Sequence, residues 1–169
     1  AGEPPQLLHG QLAQGLHRRG ALHRGQEVAG EGIDRGLRAA LLAGGLELQA
    51  EASGARLIAC DTLGSTNAEA LVRGRAGERG PLWVTAARQT AGRGRRGNAW
   101  VSEPGNLYAS LLLTDAAPAA RLPELCFVVA LAVRDAVCTL APQLASQIKL
   151  KWPNDLLLAG AELGGILIE

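Results

Sequence analysis

Lysine is almost absent from this 169-residue chain. Of 17 Lys and Arg residues, only Lys149 and Lys151 are lysine, and they stand one residue apart in "IKLKW". Lysine offers a compact point charge on a flexible stem where arginine offers a planar fork, so this placement suggests a need for an ammonium there. Upstream lies "QTAGRGRRGNAW" (89–100), three glycines interleaved with three arginines and closed by a tryptophan. Glycine allows close backbone approach and arginine supplies forked donors, a combination suited to carboxylate or phosphate. A solvated basic loop and a nucleic-acid grip are the competing readings of that stretch taken alone. All three histidines (His9, His17 and His23) fall in the first 23 residues. The remainder therefore lacks the imidazole of a Ser-His-Asp triad or of a typical zinc site.

Bulk composition narrows the class further. Apolar residues make up 47% and the net charge is +1, so the chain reads as an ordinary globular domain whose basic character is local. It contains no apolar run of the roughly 18 residues that a membrane span requires. Cys60, Cys126 and Cys138 are odd in number and widely spaced, which suits reduced thiols in a cytoplasmic protein better than a disulfide framework. The two cysteines of the long apolar helix, with Trp83 and Phe127, are expected in the core.

Several elements must position the basic residues. "RLIACD" (56–61) reads as a strand, and Thr66 with Glu69 forms a T-x-x-E capping box that starts a helix reaching Gly74 or Gly77. Strands are expected over 81–89, 106–113 and 148–152, and a hairpin turning at 159–161 follows. A helix fits 122–142, with Pro123 in its first turn, and a shorter one fits 33–44. Residues 1–32 are expected to be a poorly ordered extension or relic. The class is α/β (α+β): a mixed, mostly antiparallel sheet with helices packed on one face.

Three segments in this order, "DTLGSTNAEA" (61–70), "ARQTAGRGRRGNAWVSEPGNLYASLLL" (87–113) and "KWPNDLLLAGAELGGILIE" (151–169), resemble the catalytic domain of the biotin protein ligases. The resemblance covers about residues 33 to 169. It implies the biotin–lipoate ligase fold, related to class II synthetases, and an enzyme that joins biotin to ATP as biotinyl-5′-AMP. Biotin then passes to a lysine of a biotin carboxyl carrier protein. Carried over residue by residue, Ser65, Thr66 and Asn67 match the S-T-N that binds the ureido ring, and Gln89 matches a glutamine on the biotin side. Arg93, Gly94, Arg95 and Arg96 match a lid over biotin and the adenylate. Lys151 matches the lysine that reaches both the biotin carboxylate and the α-phosphate, so Lys151, Arg93 and Arg95 are the catalytic candidates. Arg96, Trp100 and Asn154 are assigned to the nucleotide side, with Asp155 beside them. Gly164, Gly165 and Ile166 match the strand against the biotin ring.

The implied substrates are biotin and ATP with Mg²⁺. The implied partner is the carrier protein, with a homodimer left open and neither membrane nor nucleic acid involved. No metal-ligating protein residue is assigned. Glu162 stands where the family usually has lysine. The family chain also continues beyond the point that matches Glu169, so the catalytic domain (33–169) is expected to be incomplete. "GALHRGQEVAGE" (20–31) faintly resembles the start of a winged helix-turn-helix, but too few residues follow for a DNA-binding domain. A lipoate-ligase-like enzyme and an inactive biotin-binding fragment are the alternatives.

Overall fold

The computed structural model describes the backbone of residues 6–12, together with residues 54–102 and 104–169. Nine strands and two α-helices follow in chain order. They are β1 (Gln6–Leu12), β2 (Arg56–Leu63), α1 (Thr66–Arg75), β3 (Leu82–Gln89), β4 (Gly92–Arg93) and β5 (Ala99–Trp100), then β6 (Leu107–Leu113), α2 (Leu125–Leu140), β7 (Ile148–Lys151), β8 (Asp155–Leu158) and β9 (Ala161–Ile168). Seven strands make one sheet in the order β2-β3-β6-β1-β9-β8-β7, and β4 pairs with β5 separately. Only β2 and β3 run parallel, so the expected mixed, mostly antiparallel α+β class holds.

One expectation is overturned at the N-terminus. Gln6–Leu12 is not a loose extension but a strand between β6 and β9, pairing Leu12 with Leu107 and Gln11 with Gly165. An antiparallel slot with free donors and acceptors on both sides accepts any extended segment that satisfies them. Residues 13–32 and the helix expected over 33–44 lie outside the described residues.

A second correction concerns the layers. Paired residues project to the same face of a sheet, and neighbours along a strand to opposite faces. Leu82, Val84 and Leu112 share one face and bury Ala70 of α1. Following the register through β1 and β9 puts Ile166, with Leu156 and Ile148, on the other face, where Ala130 and Val137 of α2 pack. The two helices therefore cover opposite faces rather than one. Over β7–β9, the face of α1 is left for other groups.

Local chemistry accounts for the element ends. Ser65, not Thr66, caps α1: its Oγ accepts the N–H of Ala68 at 3.4 Å, and its backbone is extended. Glu69 instead accepts from Arg73, one turn on, at 2.8 Å. The long helix is shorter than the apolar run that suggests it, since residues 119–124 with Pro123 form a 3-10 turn before it. Cys126 and Cys138 pack against the core as expected, and Trp83 is half-buried. Phe127 is not core: with Val128 and Leu131 it is about half exposed on the outer side of α2. An all-round apolar helix does not announce which stripe meets the sheet.

Candidate functional site

One row of the sheet carries the chemistry. Lys151 pairs with Asp155, Asp155 with Gly165, Gly165 with Gln11, and Gln11 with Tyr108. From Gly165 to Lys151 is two strand spacings, roughly 10 Å. The Lys151 ammonium donates to Asp155 Oδ2 at 2.9 Å while remaining largely exposed. That carboxylate, through its hydrogen bond and its charge, holds the ammonium above its ordinary range. Glu162 lies beside the pair, and partial burial together with Asp155 pushes its carboxyl up, against the pull of Lys151.

The Gly/Arg segment folds as a small hairpin above this row. Gly92 pairs with Trp100 and Arg93 with Ala99, and the Gly94 N–H donates to the Asn98 carbonyl at 2.8 Å. Arg96 sits at the tip in the left-handed region, φ 59°, a conformation costing a non-glycine residue roughly 1–2 kcal/mol. A Cβ on Gly92 would meet Ser102 Oγ and the Trp100 carbonyl at 2.7 Å, so only glycine fits the hairpin's base. The Trp100 indole lies over Gly94 and Gly165, where an added Cβ would be 3.4 and 3.7 Å from it. The ring thus faces two glycines, one in the hairpin and one in the row below, at a distance that leaves van der Waals room for a Cβ on each. Arg95 donates to Asn154 Oδ1 at 2.9 Å, and the Asn154 amide donates to the Ile166 carbonyl at 3.0 Å. Arg93, Arg95 and Arg96 are exposed.

The other wall is the first turn of α1. Ser65, Thr66 and Asn67 are all buried. The Thr66 N–H and hydroxyl both donate to Gln89 Oε1, at 2.8 and 3.1 Å, and Gln89 Nε2 donates to Ser102 Oγ at 3.1 Å. An amide oxygen has two acceptor positions, so that of Gln89 is saturated while one N–H of its Nε2 remains. The Asn67 amide nitrogen donates to the Glu169 carboxylate, which fixes the amide's orientation. Among the described residues its buried Oδ1 has no partner, and neither has Trp100 Nε1. Buried polar atoms are nearly always paired, so the two orphans, one on the first turn of α1 and one over Gly165, mark places for ligand atoms.

The structure therefore joins Lys151, Asp155, Gly165, Trp100, Asn154 and Arg95 through direct pairings and contacts, and Ser65–Asn67 with Gln89 around α1. Gly164 lies one residue off the row, paired with Leu156 on the face of α2, as is Ile166 in the core there. Ser102 and Glu169 were not visible as site residues in the sequence. Nothing in their spacing marks them, because their partners are 13 and 102 positions away.

The model of the biotin/lipoate A/B protein ligase family matches residues 65–169, and the chain belongs to that family. Those residues contain α1, the hairpin and the whole Lys151 row apart from β1. The chain is similar to the biotin–[acetyl-CoA-carboxylase] ligase of Paracoccus denitrificans, 48% identical over 105 residues, or 62% of this chain and 43% of that protein. Among solved structures it resembles the biotin protein ligase of Leishmania major in complex with biotinyl-5-AMP. The TM-score is 0.58 and the identity 31%, over 68% of this chain and 51% of that one. It also resembles the biotin acetyl coenzyme A carboxylase synthetase of Helicobacter pylori with bound biotinylated ATP. There the TM-score is 0.55 and the identity 28%, over 68% and 55% of the two chains. The chain spans less than half the length of the curated relatives it matches. Among the described residues, no helix is long and apolar enough to cross a membrane.

Glu162 provides a direct test of the site's charge. Its carboxylate stands beside the ammonium at which a phosphate or carboxylate ligand would be received. If the ammonium receives a phosphate ligand, Glu162→Gln is expected to tighten the binding of a triphosphate probe about threefold at low salt, an advantage lost in high salt because Lys151 and Glu162 are exposed. The folded carboxyl has a raised pKa, so its stabilising influence is present at acid pH and lost as pH rises through that value. The glutamine variant should therefore be at least as stable as the parent at pH 7. ATP titrations at two salt concentrations, with melting curves at pH 4 and 7, check both parts.

Proposed function

We propose that this chain activates biotin with ATP, forming biotinyl-5′-AMP, and passes the biotinyl group to a lysine of a biotin carboxyl carrier protein. What carries this reading is the row Gly165–Asp155–Lys151, with Trp100 over its Gly165 end, together with the orphaned acceptor of Asn67 on the α1 turn that Gln89 holds. A cyclic urea needs an acceptor for its N–H and a donor for its carbonyl. Asn67 Oδ1 supplies the acceptor, and the spare N–H of Gln89 supplies the donor. Ser65 and Thr66 set the helix turn that holds them.

In the first step a biotin carboxylate oxygen attacks the α-phosphorus of ATP. The bond from that phosphorus to the bridging oxygen breaks, and pyrophosphate leaves with the electron pair. No general base is needed, since the nucleophile is already an anion. The demand is for fixed positive charge where two anions converge. Lys151 supplies it, with Arg93 and Arg95 above. Arg96, Trp100 and Asn154 line the nucleotide side. In the second step the acceptor's lysine nitrogen attacks the acyl carbon, AMP leaves, and the nitrogen loses a proton to solvent. Mg²⁺ would enter with the ATP phosphates as part of the substrate.

The names and ligands of the similar proteins, biotinyl-5-AMP above all, support the same reading. Calorimetry with biotin, then ATP, on this chain tests it. Heat with biotin and pyrophosphate release on adding ATP are expected. Heat with biotin and no release would leave a biotin-binding fragment. No heat from a folded sample would sink the reading.

A further inference from the structure

Four buried side chains from four segments form one directional chain of hydrogen bonds. Ser110 Oγ donates to Thr66 Oγ1 at 2.8 Å, and Thr66 Oγ1 to Gln89 Oε1 at 3.1 Å. Gln89 Nε2 then donates to Ser102 Oγ at 3.1 Å, and Ser102 Oγ to the Trp100 carbonyl at 3.3 Å. None of the four residues is more than 5% exposed. Every donor in that series points the same way, from the sheet through α1 and β3 to the closing strand of the Gly/Arg hairpin. Breaking an internal link strands a buried polar group, which costs far more than the net worth of the bond. Gly92 closes the space around the last links, because its Cβ position is 2.7 Å from Ser102 Oγ and 3.1 Å from Gln89 Nε2. Trp100 and the first turn of α1 are therefore tied in position, although 34 residues apart in sequence.

We propose that Ser102 is a positioning residue that, through Gln89, couples occupancy of the pocket beside Asn67 to closure of the Gly/Arg hairpin over Gly165. Ser102 touches no ligand in this scheme. Its hydroxyl receives the one Gln89 N–H that is not left for the ligand and fixes the Trp100 carbonyl. A ligand that pulls on Gln89 or orders the α1 turn thereby sets the backbone that carries the indole. The proposal rests on the biotin-binding reading above, and sharpens it by assigning the link between the ureido pocket and the lid.

Trypsin cleavage at the hairpin arginines of the full chain, with and without biotin, reads the coupling, and calorimetry reads affinity independently. Ser102→Val and Ser102→Thr have the same shape and differ by the hydroxyl. Biotin is expected to protect the hairpin about five- to tenfold less in the valine variant than in the threonine variant, the scale of one buried hydrogen bond. The biotin Kd should differ between them by less than about threefold. Equal protection in the two variants would overturn the coupling. Affinity falling in step with protection would make Ser102 a pocket residue instead. Should the valine variant fail to fold, Ser102→Ala replaces it, with Ser102→Thr still the reference. A wild-type chain that gives no heat with biotin sinks the functional reading and the ligand half of this proposal together. Cutting of the free variants would then decide whether the hydroxyl ties the hairpin down at all.

Discussion

Lys151→Ala is expected to lower pyrophosphate release on the order of 10²- to 10³-fold at saturating biotin and ATP, while biotin binding weakens by less than about threefold. The asymmetry follows from when the charge is needed. Before the reaction a biotin carboxylate held near the largely exposed ammonium would still be solvated, so the ammonium would add little to its binding. As the carboxylate closes on the α-phosphate, two negative centres approach with water excluded, and a cation between them gains weight. A preorganised charge used only in that approach appears in the rate and not in the affinity. Lys151→Arg should recover part of the loss, because the charge is kept but the broad fork cannot take the same point between two anions.

In the ligand-free protein Asp155 holds this ammonium in reserve. The Lys151 end of the ion pair is exposed, so an incoming phosphate can reach the ammonium from solvent. Asp155 also raises the Lys151 pKa, so the ammonium keeps its proton to higher pH than an ordinary lysine. Asp155→Asn should therefore move the alkaline limb of kcat/KM, which reports the ligand-free protein, to lower pH. Rate against pH for the parent, Lys151→Ala and Asp155→Asn checks these statements. Near-normal release by the alanine variant with a large fall in biotin affinity would make Lys151 a binding residue and overturn the mechanism.

The largest effect on folding is expected at Gly80. A Cβ there would lie 2.1 Å from the Leu112 carbonyl oxygen and 2.8 Å from Leu113 Cα. Both obstacles are backbone, in a strand hydrogen-bonded to β3 and β1, so neither can turn aside as a side chain would. Relief requires moving Gly80 away from β6 just before Leu82, which is wholly buried with Leu112 and Val84 beneath α1. Gly80→Ala should cost about 3 kcal/mol or more. At 2–4 °C per kcal/mol for a chain of this size, melting should fall by about 10 °C, or the protein should fail to accumulate folded. Gly64→Ala serves as the control, since nothing lies within 4 Å of its Cβ position and its melting point should barely move. Equal melting of the two variants would mean that β6 yields at Leu112.

Much of this protein is written locally. The strands that become β2, β3, β6, β7, β8 and β9 are readable because period-2 apolar runs are bounded by Gly, Pro and polar turns. The start of α1 is legible to within one residue because a cap satisfies N–H groups three positions away. The Gly/Arg segment and the lone lysine pair carry their chemistry in residue type, so the candidate anion site is visible before any fold is known. Long-range pairing decided the rest. Gln6–Leu12 has no mark of a central strand, and enters the sheet because β6 and β9 leave hydrogen-bonding edges that an extended segment can fill. Which face each helix covers depends on strand register, since a shift of one residue exchanges the two faces. Phe127 looks like core in a continuous apolar helix, and only the docking of Ala130 and Val137 turns it outward. The tie from Ser102 through Gln89 to Thr66 is likewise invisible in sequence. A hydroxyl and an amide state what they can donate and accept, but only the folded chain brings residues 66, 89 and 102 within bonding distance.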